Sequence, residues 1–239
     1  MATDKAVLEQ ITANGYVVNV VRTKRTKTVT INVIEGVVSI TVPKALDLSR
    51  IVQVVESKHT WVIEKLAIHK QAAPKRDKEF VSGEAFSYLG RNYRLKVNHG
   101  DYQSVRLIQG RLAITLPDDI NHSIYARKGL IAWYKRQAEK KIREKVERYA
   151  GIVGVETGVI RIKSFKSRWG SCTPYGDVEF NWVIMMAPNR VVDYVVIHEL
   201  CHLIQMDHSP QFWREVERVM PDYLEHKEWL KTNGYKLVI

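Results

Sequence analysis

The chain has 239 residues, of which 45% are hydrophobic, and 37 Lys and Arg against 26 Asp and Glu give a formal net charge of +11. That length allows one large domain or two small ones with an ample core. No apolar run approaches the ~20 residues of a membrane span, and two cysteines are too few for a disulfide scaffold.

The N-terminus, Met1-Ala2-Thr3-Asp4-Lys5, lacks the charged start and long apolar centre of a signal peptide, so a cytoplasmic protein is expected. Residues 16–21, 28–33 and 37–42 alternate or run β-branched and read as strands, with Glu35-Gly36 between the last two as a hairpin turn. Residues 46–70 read as one helix with Ile51, Val54, Val55, Trp61, Ile63, Leu66 and Ala67 on its apolar side, ended by Pro74. A charged linker, 75–78, precedes short strands at 85–89, 93–97, 104–108 and 111–116, with Gly90, Gly100 and Gly110 as turns. No internal repeat is legible. Residues 118–149 form a long amphipathic pattern, 159–163 a strand, 166–172 a polar loop and 177–184 another strand. Pro188, Pro210 and Pro221 each open a helix, the last ending near Gly234. The fold class is therefore α+β: a β-rich N-terminal unit with one long helix over residues 1–117, then a helix-rich catalytic unit over 118–239.

The most specific chemistry is His198-Glu199-Leu200-Cys201-His202, followed by His208. Residues four apart share a helix face, so His198 and His202 can present two imidazoles to one metal ion. Glu199 sits one residue on, within reach of a metal-bound water without being a ligand. This is the H-E-x-x-H pattern of zincins, two zinc ligands plus a general base. His208 can supply a third ligand, leaving the fourth tetrahedral position for water. The preceding run 191–197 is apolar enough to bury the helix, and a buried helix with such polar groups on one flank needs a partner for them. Three imidazoles favour zinc over magnesium or calcium. Cys172 and Cys201 read as small core residues; a Cys172 thiolate reaching the metal is the alternative.

Several motifs together resemble the YgjP-like metal-dependent hydrolases, distant relatives of the SprT and spartan-type proteases. They are 167–172 (Ser-Arg-Trp-Gly-Ser-Cys), Asn181-Trp182, the H-E-x-x-H run, 208–213 (His-Ser-Pro-Gln-Phe-Trp), Tyr88-Leu89-Gly90 and Pro221-Asp222-Tyr223. The resemblance covers nearly the whole chain. It implies a zinc-peptidase-like core with His198, His202 and His208 as ligands, Glu199 as base, and a peptide or protein substrate. It also makes Arg168 a candidate oxyanion stabiliser, or else a structural ion pair. Trp169 is a candidate substrate contact, and Asn181 either binds substrate or orients the loop. The metzincin class shares the five-residue gap between the second and third histidines, but requires a glycine where this chain has Gln205; Met206-Asp207 is the expected turn instead. Zincins hold substrate as an added strand along a sheet edge, and residues 178–184 are the candidate edge.

Two further readings accompany the peptidase. One is a nucleotide pyrophosphatase, an assignment carried by some members of that family, although no glycine-rich phosphate loop is present. The other is a DNA-associated protease, with the net charge serving nucleic acid through residues 127–148 or through Arg22, Lys24, Arg25 and Lys27.

Overall fold

A computed structural model gives the fold and describes residues 8–34, 36–71 and 78–239. The expected turn residue Glu35 and the linker around Pro74 lie outside the described residues. The chain divides into two compact units between Arg76 and Asp77.

The first unit holds strands β1 (Leu8–Ala13), β2 (Tyr16–Thr23), β3 (Thr30–Ile34) and β4 (Val37–Pro43), in the order β1-β2-β4-β3. The β2/β4 pair is parallel and the outer pairs are antiparallel. Alternation sets the buried face: Val38, Ile40 and Val42 of β4 point inward with Val18 and Val20 of β2. At Asn14-Gly15 both residues have positive φ, 52° and 85°, the twist that a two-residue hairpin needs. Helix α1 (Leu48–Ser57) and helix α2 (His59–Gln71) replace the single helix expected from periodicity. The break falls at Lys58, where the Ser57 hydroxyl donates back to the Val54 carbonyl at 2.8 Å. It resets the helical phase: Ile51, Val55 and Val62 are buried, while Trp61 and Ile63, expected on the apolar side, are exposed.

The second unit begins with β5 (Ala85–Tyr88), β6 (Arg91–His99), β7 (Gln103–Ile108) and β8 (Arg111–Leu116), in the order β5-β6-β8-β7 with β6/β8 parallel. This repeats the strand order and pairing directions of the first sheet. Leu89-Gly90, at φ 48° and 80°, makes the same turn as Asn14-Gly15. The repeat, not legible in the residues, is a repeat of topology.

Helix α3 (His122–Val153) follows, capped by the Asn121 side chain accepting from Ile124 N–H and ended by Gly154 in the left-handed region. Its 32 residues span about 48 Å. Sequence grouped the second sheet with the N-terminal unit, but Leu95, Leu112, Ile114 and Leu116 share one core with Leu130, Tyr134 and Ile142 of α3. Tyr134 donates to the Ser87 carbonyl at 2.5 Å. At Gly129 a Cβ would stand 2.6 Å from Ile114 Cδ1, so glycine lets the helix seat on the sheet.

The remaining elements are β9 (Ile160–Lys163), β10 (Gly170–Cys172), β11 (Val178–Asn181), a 3₁₀ turn (Trp182–Met186), α4 (Asn189–Cys201), α5 (Pro210–Val219) and α6 (Tyr223–Asn233). The small sheet runs β10-β11-β9. Thus β11, the expected substrate edge, is the central strand, parallel to β9 and antiparallel to β10. The expected strand also stops at Asn181, whose side chain accepts from Val183 N–H and starts the 3₁₀ turn. The sheet's edges are β9 and Gly170–Cys172, the latter read as loop from the sequence.

Candidate metal centre

Helix α4 is buried along nearly its whole length, from Val191 to Ile197 and again from Glu199 to Cys201. Asp193 lies within this buried run, and α3 supplies its partner: Lys145 Nζ stands 2.6 Å from its carboxylate, with Asn189 also bound to the lysine. That buried pair fixes α4 against α3.

At the far end of α4, His198, His202 and His208 each turn a ring nitrogen into one small volume, all within 4.8 Å of one another. His198 Nε2 and His208 Nε2 face each other at 3.1 Å. The other nitrogen of His202, Nδ1, lies 3.1 Å from the Gln205 carbonyl. Such a carbonyl holds the proton on Nδ1 and leaves Nε2 free to ligate. Burial, with His202 and His208 beside it, pushes the His198 imidazole down to about 3, and burial lowers His202 as well. Both therefore stay neutral, the form in which imidazole binds metal. His198 Nδ1 is buried without a hydrogen-bond partner among the described residues, so aromatic packing sets this ring. Phe212 meets it edge-on at 4.9 Å and Trp213 stacks on His208 at 5.6 Å. These donors fit a metal ion.

The turn from His202 to His208 needs no positive φ. The Asp207 carboxylate accepts from Ser209 N–H and from Gln205 Nε2, closing the turn with side-chain hydrogen bonds in place of the metzincin glycine.

Glu199 is 6% exposed, and burial pushes its carboxyl up to about 8 against the opposing pull of Arg168. It packs on Gly170 so closely that a Cβ there would stand 2.5 Å from its Oε1. Sequence reasoning passed over Gly170; its signal was a glycine in a loop already thought functional. The cleft over these groups, about 490 Å³, is walled by β10, by Trp169 and Val195, and by Met206 and Leu230. Arg168 lies on its rim, donating to Ser171 Oγ at 3.1 Å and making no ion pair among the described residues. Asn181 sits under the loop: its amide donates to the Phe165 and Arg168 carbonyls at 3.0 and 3.2 Å. Cys172 lines the cleft with its thiol pushed up to about 11 by burial, and it is not among the converging ligands. Cys201 is buried core.

A second group, His99, Asp118 and His122, lies where β6 ends and α3 begins, with His99 and Asp118 exposed and paired to each other at 2.5 Å. The basic stretches have internal uses. Lys145 is buried on Asp193, Lys141 and Arg143 pair with Glu144 and Glu139, and Arg22 binds Glu9 and the Lys44 and Leu46 carbonyls.

A buried helix offering two imidazoles and a carboxylate, with a third imidazole closing on them, is the arrangement of a metal-dependent hydrolase. The chain belongs to the YgjP-like family, whose metallopeptidase-domain model matches residues 27–233. It is accordingly a metallopeptidase, and the family implies a catalytic metal. Two matched solved structures are metallopeptidase zymogens. Abylysin of Pyrococcus abyssi is 29% identical at a TM-score of 0.36, covering 38% of this chain and 92% of its own. Jannalysin of Methanocaldococcus jannaschii is 19% identical at a TM-score of 0.36, covering 41% and 99%. No significant match was found among curated proteins. Among the described residues, no helix is long and apolar enough to cross a membrane.

Proposed function

We propose that His198, His202 and His208 hold a zinc ion and that Glu199 is the general base of peptide-bond hydrolysis. The observation that carries this reading is the convergence of three imidazole nitrogens within 4.8 Å beside a buried carboxylate. Three neutral nitrogen donors favour zinc over oxygen-seeking magnesium or calcium. Zinc held there would supply Lewis-acid activation of water and of the scissile carbonyl.

The chain's own residues do the rest. Glu199 takes the proton of the attacking water onto its carboxylate and passes it to the leaving amine. Its buried position one residue from the first ligand places that carboxylate to serve both transfers. The free edge of β10 offers backbone groups to an extended substrate, which would add to the small sheet as a fourth strand. Arg168, at the rim beside Ser171, is the candidate to meet the developing oxyanion, and Trp169 is the apolar wall for a substrate side chain. Asn181 is a positioning residue: by holding the Phe165 and Arg168 carbonyls it fixes the loop that carries both.

Two variants test the reading, with peptides and UTP offered in parallel. His202→Ala should lose tightly bound zinc in metal analysis; retention of a full equivalent refutes the ligand assignment. Glu199→Gln should keep the metal and the fold yet lose ~10²–10⁴ in peptide turnover. Near-wild-type turnover would remove Glu199 from the mechanism, and turnover of UTP alone would refute the peptidase.

A further inference from the structure

The charge inside the cleft is unbalanced. Glu199 is the one acidic residue among its lining residues, and two cations line it as well: Arg168 near β10 and Lys227 on α6. Neither cation forms an ion pair among the described residues. Arg168 donates to Ser171 Oγ and lies over the Phe165 ring. Lys227 Nζ sits 3.8 Å from the centre of the Trp213 ring.

This separates Lys227 from Arg143, Lys145, Arg161 and Arg190, which all face carboxylates. Lys227 is instead held by an aromatic face, which fixes the ammonium without neutralising it. The same Trp213 ring stacks on His208 and on Tyr223, so the ammonium is tied to the metal-ligand cluster itself. Apolar walls at Trp169, Val195, Met206 and Leu230 exclude part of the water that would otherwise screen a charge there.

We propose that Lys227 and Arg168 form a carboxylate-binding subsite that selects peptides presenting an acidic side chain or a free C-terminus beside the scissile bond. The inference rests on the peptidase reading above and names its substrate class. Lys227 supplies three donors on a flexible stem; Arg168 carries several N–H donors, so a carboxylate and the developing oxyanion can be met by different N–H groups of one guanidinium. A carboxylate entering the cleft meets two cations that form no ion pair among the described residues. A neutral peptide leaves both cations without an anionic partner in a partly dry cleft. Both effects favour the acidic ligand.

The test is binding to the metal-loaded, full-length Glu199→Gln protein, which separates recognition from turnover. The probes are acetylated alanine hexapeptides carrying one Glu, or Gln in its place, each as free acid and as amide, titrated by calorimetry. Peptides with a carboxylate should bind at least about fivefold tighter than the neutral Gln amide, the scale of a partly screened charge pair. A second Lys227→Glu change should abolish or reverse that preference, Lys227→Arg should keep it, and Arg168→Gln should reduce it. The Glu amide tightening over the Gln amide assigns the subsite to a side chain; the Gln free acid tightening over the Gln amide assigns it to the C-terminus. Equal affinity for all four peptides, no binding of any, or a preference that survives Lys227→Glu overturns the subsite. Wild-type cleavage of the neutral amide is read separately and reports on the peptidase reading alone.

Discussion

Replacing Gly170 by alanine perturbs the general base without touching a metal ligand. A Cβ at Gly170 would stand 2.5, 2.6 and 2.7 Å from Oε1, Cγ and Cδ of Glu199. Ordinary contacts between such atoms are about 3.5–4.0 Å, so the carboxylate must retreat by about 1 Å. Glu199 is 6% exposed and rides on a helix buried nearly throughout, so the side chain has little room to do so. Gly170 is not in the left-handed region, so alanine brings no backbone strain and the effect is steric. Misplacing a catalytic group by ~1 Å costs ~10²-fold, about 2.7 kcal/mol of barrier, within the ~10⁴ ceiling of losing the base. The assay is peptide turnover beside metal content and thermal unfolding. Gly170→Ala should lose about a hundredfold in kcat at full metal occupancy, and in a Glu199→Gln background the same change should cost little more. Turnover within twofold of wild type, or equal losses in both backgrounds, would refute the contact between β10 and the base.

Two further outcomes concern what holds the site. Lys145→Met leaves Asp193 buried without its cation and should lower stability by about 3 kcal/mol in urea unfolding, with Lys145→Met/Asp193→Leu recovering most of it. Asp222 is held below the usual carboxylate range, chiefly by Arg190 and then by His226. A depressed folded-state pKa adds stability above the unfolded value and loses it as pH falls through the folded one. Asp222→Asn should therefore destabilise the protein at neutral pH, by an amount that shrinks towards zero in acid; a pH-independent difference between the two melting curves counts against the ion pair.

Periodicity served where a residue's neighbours lie close in sequence. Helix α4 is legible because a continuous apolar run buries it and its two histidines stand four residues apart, on one helix face. The turn to His208 is legible from the absence of glycine at Gln205. Residues 170–172 are not: Gly-Ser-Cys has little strand preference, and these three residues become β10 only by pairing with β11. For the same reason β11 reads as an edge, since the strand covering it cannot be seen. The break at Lys58, where Ser57 turns its hydroxyl back onto the Val54 carbonyl, is not revealed by a smooth apolar pattern. The repeat of the two sheets escapes because its shared content is pairing order and left-handed turns. Asn14-Gly15 and Leu89-Gly90 do the same work with different residues. Lys227 went unnoticed because α6 reaches the cleft only through tertiary packing.

The boundary of the catalytic unit can be argued from its core. The two buried clusters share no residue: one holds Val18, Ile40, Ile51 and Val62, the other runs from Phe80 to Leu237. A division at 117/118, natural from the change from strands to helices, would strip Phe86, Leu95, Leu112, Ile114 and Leu116 from the face of α3. Each of these is at most 4% exposed. Burying one such side chain is worth about 1.5–3 kcal/mol, so losing the five removes roughly 10 kcal/mol, comparable to the 5–15 kcal/mol that holds a whole domain. A division at 76/77 cuts neither cluster. We propose 77–239 as the smallest piece that folds with the metal centre intact. Expressed alone, it should unfold cooperatively and bind one equivalent of zinc, while 118–239 should show neither property in circular dichroism and metal analysis. A fragment 118–239 with a sharp unfolding transition and bound metal would show that the core does not need the second sheet.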